Sequence, residues 1–325
     1  MKKTVKTIKD LAELLEISPS TVSRVFSSDP KISRHTRKLV LETAKKYNFR
    51  PNRHKRPIVN HEIRVLLTTP SIYSEIPHLM DEIMELLDGI STAFIGTKKN
   101  LEIVTYDELV KSMQSKLRIV DGVIFIFQEI DNNLKKILYN AGIPYIHLNR
   151  SIKPYSSTNE VRNMAFLLKH LKERDYRKPV YLNYTVHPRS EDRELGFYAA
   201  CNMYYPEIRP EKYNVDNLDE ITPDIIRKII EKGHDALVCF NDYAALTAYK
   251  AIYKAGFRIP EDIAVTGHDN IPAAEFSIPR LTTIKLPAYT ISYLAGKWIM
   301  EKIRDKDTVG FCMDLAGDLI IGEST

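Results

Sequence analysis

TIKDLAELLEISPSTVSRVF, residues 7–26, predicts two short helices joined by a tight turn. Thr7 can cap the first helix, and Asp10 then lies in its first turn. The apolar residues of this helix recur at helical spacing: Ile8, Leu11, Ala12, Leu14 and Leu15. Ser18 can cap a second helix that has Pro19 at its first position, where a missing N–H costs nothing. The second helix would bury Val22, Val25 and Phe26.

The opposite face of the second helix carries Ser20, Thr21, Ser23 and Arg24. Two short helices with such an outward face are typical of a helix-turn-helix, which places its second helix in the DNA major groove. Short side chains permit close approach to the bases, and Arg24 can donate two hydrogen bonds to a guanine. Helix pairs of this kind also occur in ordinary helical domains, so the pattern alone leaves both interpretations open.

Charge favours DNA binding. Residues 1–56 contain 15 Lys and Arg against 5 Asp and Glu, whereas residues 57–325 contain 32 against 37. The first segment therefore carries a net charge of +10 and the rest a net charge of −5. A basic unit attached to a mildly acidic bulk is expected where one end of a protein binds phosphates.

Residues 7–56 resemble the DNA-binding headpiece of the lactose/galactose repressor (LacI/GalR) family of bacterial transcription regulators. The matching motifs are TIKD at 7–10, STVSRV at 20–25, Thr36-Arg37 and RPN at 50–52. The outward face of the second helix is expected to contact DNA through Pro19, Ser20, Thr21, Ser23 and Arg24, of which Pro19, Ser20 and Arg24 are the candidate base readers. Phosphate contacts are expected near Ser18 and at Lys6, Arg37 and Arg50.

A headpiece over residues 1–50 is predicted, with a third helix from Ser33 or His35 to about Tyr47 and a linker over 51–62. In the family this linker folds on DNA as a hinge helix that inserts an apolar side chain into the minor groove. The resemblance assigns this segment's DNA contacts to Asn52, Arg53, Arg56 and Ile58. Pro57 departs from the family pattern. Glu16 is a second departure, because it lies in the turn between the first two helices, where the family commonly has glycine.

Residues 63–325 alternate strand-like apolar runs with helical stretches, which predicts parallel sheets with helices on both faces. The expected fold is an all-α headpiece followed by an α/β core of two doubly wound subdomains. The core resembles the family's effector-binding domain, which is related to periplasmic sugar-binding proteins. The matching segments are VDGVI at 120–124, GIP at 142–144, DRELGF at 192–197, NDYAAL at 241–246, IPEDIAVTGHDN at 259–270 and LTTI at 281–284. The resemblance implies one subdomain over about 63–152 plus 285–311, and another over about 153–284 plus 312–325.

Three residues of the core are expected to contact an effector in the cleft between the subdomains. Arg193 offers a planar fork of donors for hydroxyls or a carboxylate, and an Arg–Glu pair on a helix surface is the alternative. Asn241 follows a buried strand, and either it or Asp242 caps the next helix while the other binds. Asp269 offers acceptors for paired hydroxyls, with an Asx-turn as its alternative.

The family often stacks a sugar on an aromatic ring near where this chain has Leu218. Tyr73 and His268 are the candidate substitutes, although a surface or structural role is the alternative for each. Thr158-Asn159 also departs from the Asp-Asn pair that is frequent in the family.

Three cysteines at irregular spacing argue against a disulfide framework and for a reducing compartment. Charged residues interrupt the first twenty positions, so neither a signal peptide nor a membrane span is predicted and a cytoplasmic location is expected. The sequence shows none of the common catalytic or phosphate-binding motifs. We therefore expect no enzymatic activity, no cofactor and no metal.

Together these observations predict a homodimeric transcription regulator that binds a palindromic operator. A repressor of sugar uptake or metabolism genes, controlled by a sugar-like effector, is expected from the resemblance, and release by an inducer is commoner in the family than corepression. The helix predicted over Ile76–Phe94 has more apolar residues than one core-facing stripe needs, which favours a partner subunit. The alternatives are a sugar-binding protein of the transport type and an architectural DNA-binding protein without an effector.

Overall fold

The structure is a computed structural model that describes residues 5, 7–26, 32–47, 49, 62–71 and 79–325, without the side chains of Gln114 and Ser115. Several predicted contact residues lie outside these ranges: Lys6, Arg50, Asn52, Arg53, Arg56, Ile58 and Tyr73. The hinge helix, Pro57 within it and the start of the helix predicted from Ile76 also lie outside them. These predictions remain predictions.

The headpiece contains three helices, α1 (Ile8–Leu15), α2 (Pro19–Phe26) and α3 (Arg34–Lys46). The Asp10 N–H donates to Thr7 Oγ1 over 3.1 Å, and the Thr7 N–H donates to Asp10 Oδ2 over 2.9 Å, so a capping box starts α1. Ser18 Oγ accepts from the Thr21 N–H at 3.0 Å at the start of α2. The helices enclose a small apolar core of Val5, Leu11, Ala12, Val22, Val25, Val40, Ala44 and Phe49.

Glu16 ends α1 in the left-handed backbone region, with φ at 54°. The Ile17 N–H donates to the Ala12 carbonyl over 3.0 Å, which closes the helix end. This conformation is costly for a residue with a Cβ and free of that cost for glycine. The turn therefore has the shape that the family glycine would favour, and Glu16 adopts it with strain.

Glu16→Gly is expected to stabilise the headpiece by about 1 kcal/mol, because it removes the left-handed penalty. Hydrogen exchange of the α1 and α2 amides in the full chain measures the change as slower opening. Glu13→Gly is the matched control, since glycine inside a helix costs about 1 kcal/mol and should speed opening. Faster exchange in both variants would contradict the account of the turn.

The first sheet of the core has six parallel strands in the order β11-β5-β4-β3-β1-β2. Their bounds are β1 (Ile63–Thr69), β2 (Lys99–Thr105), β3 (Gly122–Ile126), β4 (Tyr145–Leu148), β5 (Tyr155–Thr158) and β11 (Cys312–Leu315). Helices α4 (Leu79–Ala93) and α12 (Ala288–Arg304) share one core with the face that carries Val65 and Leu67. Helices α5 (Tyr106–Lys116) and α6 (Asn132–Ala141) share a second core with Leu66, whose side chain points to the opposite face.

The second sheet has four parallel strands in the order β7-β6-β8-β9. Its strands are β6 (Pro179–Tyr184), β7 (Glu211–Val215), β8 (Ala236–Cys239) and β9 (Ala264–Thr266). The helices of this half are α7 (Glu160–Glu173), α8 (Ser190–Tyr204), α9 (Pro223–Glu231), α10 (Asp242–Ala255) and α11 (Pro272–Glu275). The predicted pair of doubly wound subdomains is confirmed.

The chain crosses between the two halves of the core three times. Two of these crossings lie a few residues further along the chain than the predicted subdomain limits. β5 and β11 both pair within the first sheet, so these crossings follow Thr158 and Leu315 rather than residues near 152 and 312. The last strands, β10 (Thr283–Lys285) and β12 (Asp318–Ile320), form an antiparallel pair of their own. The subdomain limits shift because β5 and β11 extend the first sheet by parallel pairing that family motifs do not mark.

Helices α4 and α12 approach each other closely at two glycines. A Cβ placed on Gly89 would lie 2.4 Å from the Tyr289 carbonyl oxygen, and one on Gly296 would lie 2.7 Å from the Ala93 Cβ. Small residues therefore set the distance between these helices. Within the described part of the chain, no helix is both long enough and apolar enough to cross a membrane.

Candidate functional site

Polar side chains gather where the strands of both sheets end. Asn149 and Thr158 lie at the carboxyl ends of β4 and β5 in the first half, and His268 and Asp269 follow β9 in the second. Arg193 on α8 reaches the same place. Ligands of parallel α/β sheets bind at this edge, so the region is the candidate site.

Arg193 and Asp269, which were predicted to act at one site, lie in direct contact. Arg193 Nη2 donates to Asp269 Oδ1 over 2.6 Å, and Nη1 donates to the Phe240 carbonyl over 2.9 Å. The guanidinium also lies over the Phe240 ring, 4.4 Å from its centroid. Arg193 is fully buried, which excludes the alternative of a surface Arg–Glu pair.

Glu160, in the first turn of α7, lies at the centre of the buried charges. Its Oε1 is 2.8 Å from Arg189 Nη2 and 3.9 Å from Arg193 Nε, and its Oε2 is 3.0 Å from His268 Nε2. Thr158 Oγ1 donates to Glu160 Oε1 over 2.7 Å. Burial alone would raise the pKa of the Glu160 carboxyl, but the adjacent cations hold this pKa well below its usual range.

Asp269 is ionised for the same reason. Burial would raise the pKa of its carboxyl, but Arg193 and His268 outweigh burial and lower the pKa. The pKa of His268 is raised because Glu160 and Asp269 overcome the effects of burial and of Arg193. The cluster is thus a network of paired charges that burial makes strongly interdependent.

Asn241 is the N-cap of α10, and its Oδ1 accepts from the Ala244 N–H over 2.9 Å. Asp242 is buried, accepting from the Ile271 N–H at 2.8 Å and from Thr283 Oγ1 at 2.6 Å. Burial, with a contribution from Asp269, raises the pKa of Asp242 to about 7. Asn241 therefore has the capping role that the sequence left open between the two residues. A ligand contact through the rest of its side chain remains a prediction.

His268 does not offer an open ring face for stacking. It is fully buried, and its ring nitrogens lie 3.0 Å from Glu160 and 3.1 Å from Asp269. Its position favours the structural alternative. The aromatic rings that gather near the site are instead Phe240, His187 and Phe127, with His187 centred 4.8 Å from Phe240 and 6.1 Å from Phe127.

A second series of hydrogen-bonded polar side chains comes from the first half. Asn149 Nδ2 donates to Glu82 Oε1 over 2.8 Å, and Asn149 Oδ1 accepts from the Thr158 N–H over 3.2 Å. Burial, and next the charge of Asp269, raise the pKa of Glu82 to about 7. The pKa of Glu82 in the first half thus depends on the charge of Asp269 in the second half.

Direct contacts join the two halves beside this cluster. The Tyr243 hydroxyl on α10 donates to the Asp81 carboxylate on α4, and Arg150 lies 3.8 Å from Asp192. These pairs would change if the halves rotated relative to each other. The site therefore lies where a bound molecule can affect the placement of both subdomains.

Sequence reasoning missed Glu160, Arg189 and Glu82 as members of the cluster, whereas Asp242 had been considered together with Asn241. Arg189 had a detectable signal, because it precedes Arg193 by four residues and helical spacing puts both on one face. Glu82 and Glu160 had none, since acidic residues in the first turn of a helix are usually solvated. Among the described residues, no group of three or more His, Cys, Asp or Glu side chains could hold a metal ion.

In the headpiece, Pro19, Ser20, Ser23 and Arg24 are exposed on α2, while Val22 and Val25 are buried. Thr21 is half-buried and its hydroxyl lies 2.8 Å from Ser18 Oγ. Arg37 is half-buried on α3. The predicted outward face of the second helix is thus accessible to a partner.

Two family descriptions match the chain. Residues 7–52 match "Bacterial regulatory proteins, lacI family", and residues 168–325 match "Periplasmic binding protein-like domain". The probable HTH-type transcriptional repressor ExuR of Bacillus subtilis (strain 168) is 28% identical over 323 residues, which cover 93% of each chain. The HTH-type transcriptional repressor PurR of Aliivibrio fischeri (strain MJ11) is 27% identical, again over 93% of each chain.

Solved structures with a similar fold align with nearly the full length of the chain. The lac repressor dimer bound to operator and the anti-inducer ONPF has a TM-score of 0.69 at 20% identity, covering 99% of both chains. The complex of the transcriptional regulator CelR with cellobiose has a TM-score of 0.68 at 20% identity, covering 99% of this chain and 100% of the other. The similarity thus includes both the headpiece and the core.

Proposed function

This chain belongs to the LacI/GalR family of DNA-binding transcription regulators, and we propose that it is a homodimeric repressor of sugar transport or metabolism genes. Its effector is a sugar or sugar derivative bound at the Arg193–Asp269 cluster. The observation that carries the proposal is the gathering of buried donors and acceptors at the carboxyl ends of both sheets, in a chain that begins with a helix-turn-helix.

The operator is contacted by the exposed face of α2. Pro19, Ser20 and Arg24 read bases, with Thr21 and Ser23 beside them. Arg37 on α3 and the amides near Ser18 contact phosphates, as do Lys6 and Arg50. Asn52, Arg53, Arg56 and Ile58 contact the minor groove from the linker. The net charge of +10 in residues 1–56 supports this assignment.

Arg24→Ala is expected to weaken binding to the cognate operator by about 1–3 kcal/mol, because the bidentate hydrogen bond from Arg24 to a base is lost. The operator is first selected from a random DNA pool by the unaltered protein, and affinities are then measured by fluorescence anisotropy. Binding to unrelated DNA should change much less, since Arg24 reads bases. Arg227→Ala, an equal change of charge in the core, serves as the control. Equal losses on operator and unrelated DNA would refute the base-reading role.

The effector contacts would come from Arg193, Asp269 and Asn241, together with Tyr73. The acceptors and donors suit vicinal hydroxyls, and the rings of Phe240, His187 and Phe127 offer apolar surface nearby. CelR was solved with cellobiose, and an Enterococcus faecium LacI-family regulator was solved with ribose. Both support a sugar in this cleft.

A thermal-shift screen tests the effector proposal. The full-length protein is heated with neutral mono- and disaccharides, sugar acids and sugar phosphates at equal concentration. A ligand that binds only the folded state raises stability by RT ln(1 + [L]/Kd), so an effector raises the melting temperature in a concentration-dependent way. If no compound of the panel raises the melting temperature while operator binding is intact, a DNA-binding regulator without a sugar effector is favoured.

Dimerisation is supported by exposed apolar residues in both halves. Met80 and Met84 lie one turn apart on α4 and are exposed, in keeping with the partner face expected on this helix. In the other half, Tyr253 is 83% exposed and Phe276 is 81% exposed. Isologous contact between two copies would bury such surfaces and place two α2 helices on a palindromic operator.

Phe276→Asp is expected to weaken the dimer at least about tenfold, because an unpaired carboxylate is costly to bury in an interface. Sedimentation velocity at micromolar protein measures the monomer fraction. Lys136→Asp is the control, since Lys136 is an exposed charged residue on α6 and does not belong to these apolar surfaces. If the unaltered protein is a monomer when it is bound to its operator, the arrangement with two half-sites is excluded.

Effector binding would act through the placement of the two halves. A ligand that contacts Arg193 and Asp269 on one side and the Glu82–Asn149 chain on the other binds one relative placement better than another. Operator affinity then changes only by the effector's differential affinity for the two states. Contacts such as Tyr243–Asp81 and Arg150–Asp192 would differ between these states.

A further inference from the structure

The arginines of the candidate effector site are already paired with carboxylates of the protein. Arg193 binds Asp269, and Arg189 binds Glu160, whose side chain is 3% exposed. His268 faces one of these carboxylates from each ring nitrogen. Within the described part of the chain, each buried cation of this cluster thus has an anionic partner from the protein itself.

Carboxyl groups outnumber the arginines in this space. Glu160 and Asp269 offset the two guanidinium charges, and Glu82 and Asp242 add two more buried carboxyls. The pKa of each of these two is raised to about 7, first by burial and then by the charge of Asp269. Burial is the main cause of both shifts. Four carboxyls lie near three cationic side chains, Arg189, Arg193 and His268, so a ligand carboxylate or phosphate would add a further negative charge beside them.

Donors that an uncharged ligand could use remain within the cluster. The Nε atoms of Arg189 and Arg193 are buried and donate no hydrogen bond among the described residues. Arg189 Nε lies 3.5 Å from Asp192 Oδ2, in an ion pair without hydrogen-bond geometry. A buried donor without an acceptor is costly, so a ligand hydroxyl that supplies the acceptor gains affinity.

We propose, resting on the function proposed above, that this site selects uncharged polyhydroxy sugars over sugars that carry a carboxylate or a phosphate. Glu160 determines this selectivity. Its carboxylate occupies Arg189 and approaches Arg193 and His268, the donors that an anionic ligand would need. An anionic ligand must either displace Glu160 from these cationic partners or lie beside it as a like charge.

The unaltered full-length protein provides the first test. Each sugar that raises the melting temperature is compared by isothermal titration calorimetry at pH 7.5 with its uronic acid and its 6-phosphate. Glucose, glucuronate and glucose 6-phosphate form one such set, and galactose, galacturonate and galactose 6-phosphate form another. The neutral member is expected to bind at least about tenfold more tightly. The methyl ester of the uronic acid, which lacks the charge, should recover binding.

Glu160→Gln provides the second test, because it keeps the shape of the side chain, frees Arg189 from its closest carboxylate partner and removes the negative charge beside Arg193 and His268. The preference for the neutral sugar should shrink at least about tenfold, or reverse in favour of the acid. Glu173→Gln, on the exposed end of the same helix, is the matched control and should leave the preference unchanged. If Glu160→Gln does not fold, the ratio measured on the unaltered protein still decides the selectivity.

The outcomes separate the two proposals. If the acid or phosphate binds the unaltered protein as tightly as the neutral sugar, the selectivity is refuted while the effector function stands. A folded Glu160→Gln protein with an unchanged ratio refutes the role of Glu160. If no sugar, acid or phosphate binds at all, the proposed effector function fails and the selectivity fails with it.

Discussion

Arg193→Met is expected to destabilise the protein by about 3 kcal/mol at pH 7, and to abolish the effector's thermal shift, because it removes the closest cationic partner of Asp269 and leaves only His268 beside that carboxylate. The Phe240 carbonyl loses its donor in the same variant. Chemical denaturation of the full chain, followed by circular dichroism, measures the change. The core transition should move while the headpiece still binds DNA.

The pH dependence of this loss identifies its cause. In the unaltered protein the pKa of Asp269 is lowered, so its pairing stabilises the fold above the carboxyl's unfolded pKa and is lost as the pH falls through the folded value. The stability difference between Arg193→Met and the unaltered protein should therefore shrink on acidification. Arg258→Met, which breaks the exposed Arg258–Asp262 pair, should have little effect at any pH. A difference that is constant with pH would contradict the charge argument.

Gly89→Ala is expected to cost about 3 kcal/mol or more, at the upper end for overpacking. The added Cβ would meet the Tyr289 carbonyl oxygen at 2.4 Å, and also the Ser292 side chain. Because Tyr289 O is backbone, relief requires α4 and α12 to move apart over their shared core. Thermal unfolding by calorimetry measures the loss.

Gly310→Ala is the control for this prediction. A Cβ at Gly310 meets nothing within 4 Å, and the residue does not have the positive φ that would strain alanine. Its melting temperature should remain close to that of the unaltered protein. A similarly small effect of Gly89→Ala would show that the two helices pack less closely than described.

The headpiece was the part most fully predictable from sequence, because its signals are local. Caps at Thr7 and Ser18, the proline at the start of α2 and the apolar spacing each act within a few residues. Even the strain at Glu16 could be anticipated from the glycine expected there. The linker and its contacts stay predictions.

Elements whose stability depends on distant partners were harder to recognise. Helix α12 buries Ile291, Ser292 and Gly296 along with larger side chains, so its sequence lacks one clean apolar stripe. Strand β7 is a half-exposed edge strand with a polar sequence, EKYNV. Its pairing with β6 defines it, and that pairing is not local information.

The candidate site shows the same division. Arg193 and Asp269 were found through family motifs, and their contact in the structure agrees with a shared site. Glu160 and Glu82 were missed because nothing near them in sequence shows that they are buried. Only the folded chain brings Glu160 beside Arg189, 29 positions later, and beside His268, which is more than a hundred positions away.

Operator affinity with and without the effector tests the central claim most directly. The full-length protein is titrated onto its selected palindromic operator, in the absence and in the saturating presence of the sugar that raises its melting temperature. A change in operator affinity of roughly 5- to 150-fold, in either direction, is the result that the account predicts. Equal affinities under the two conditions would contradict it, because the sugar would then bind without controlling DNA recognition.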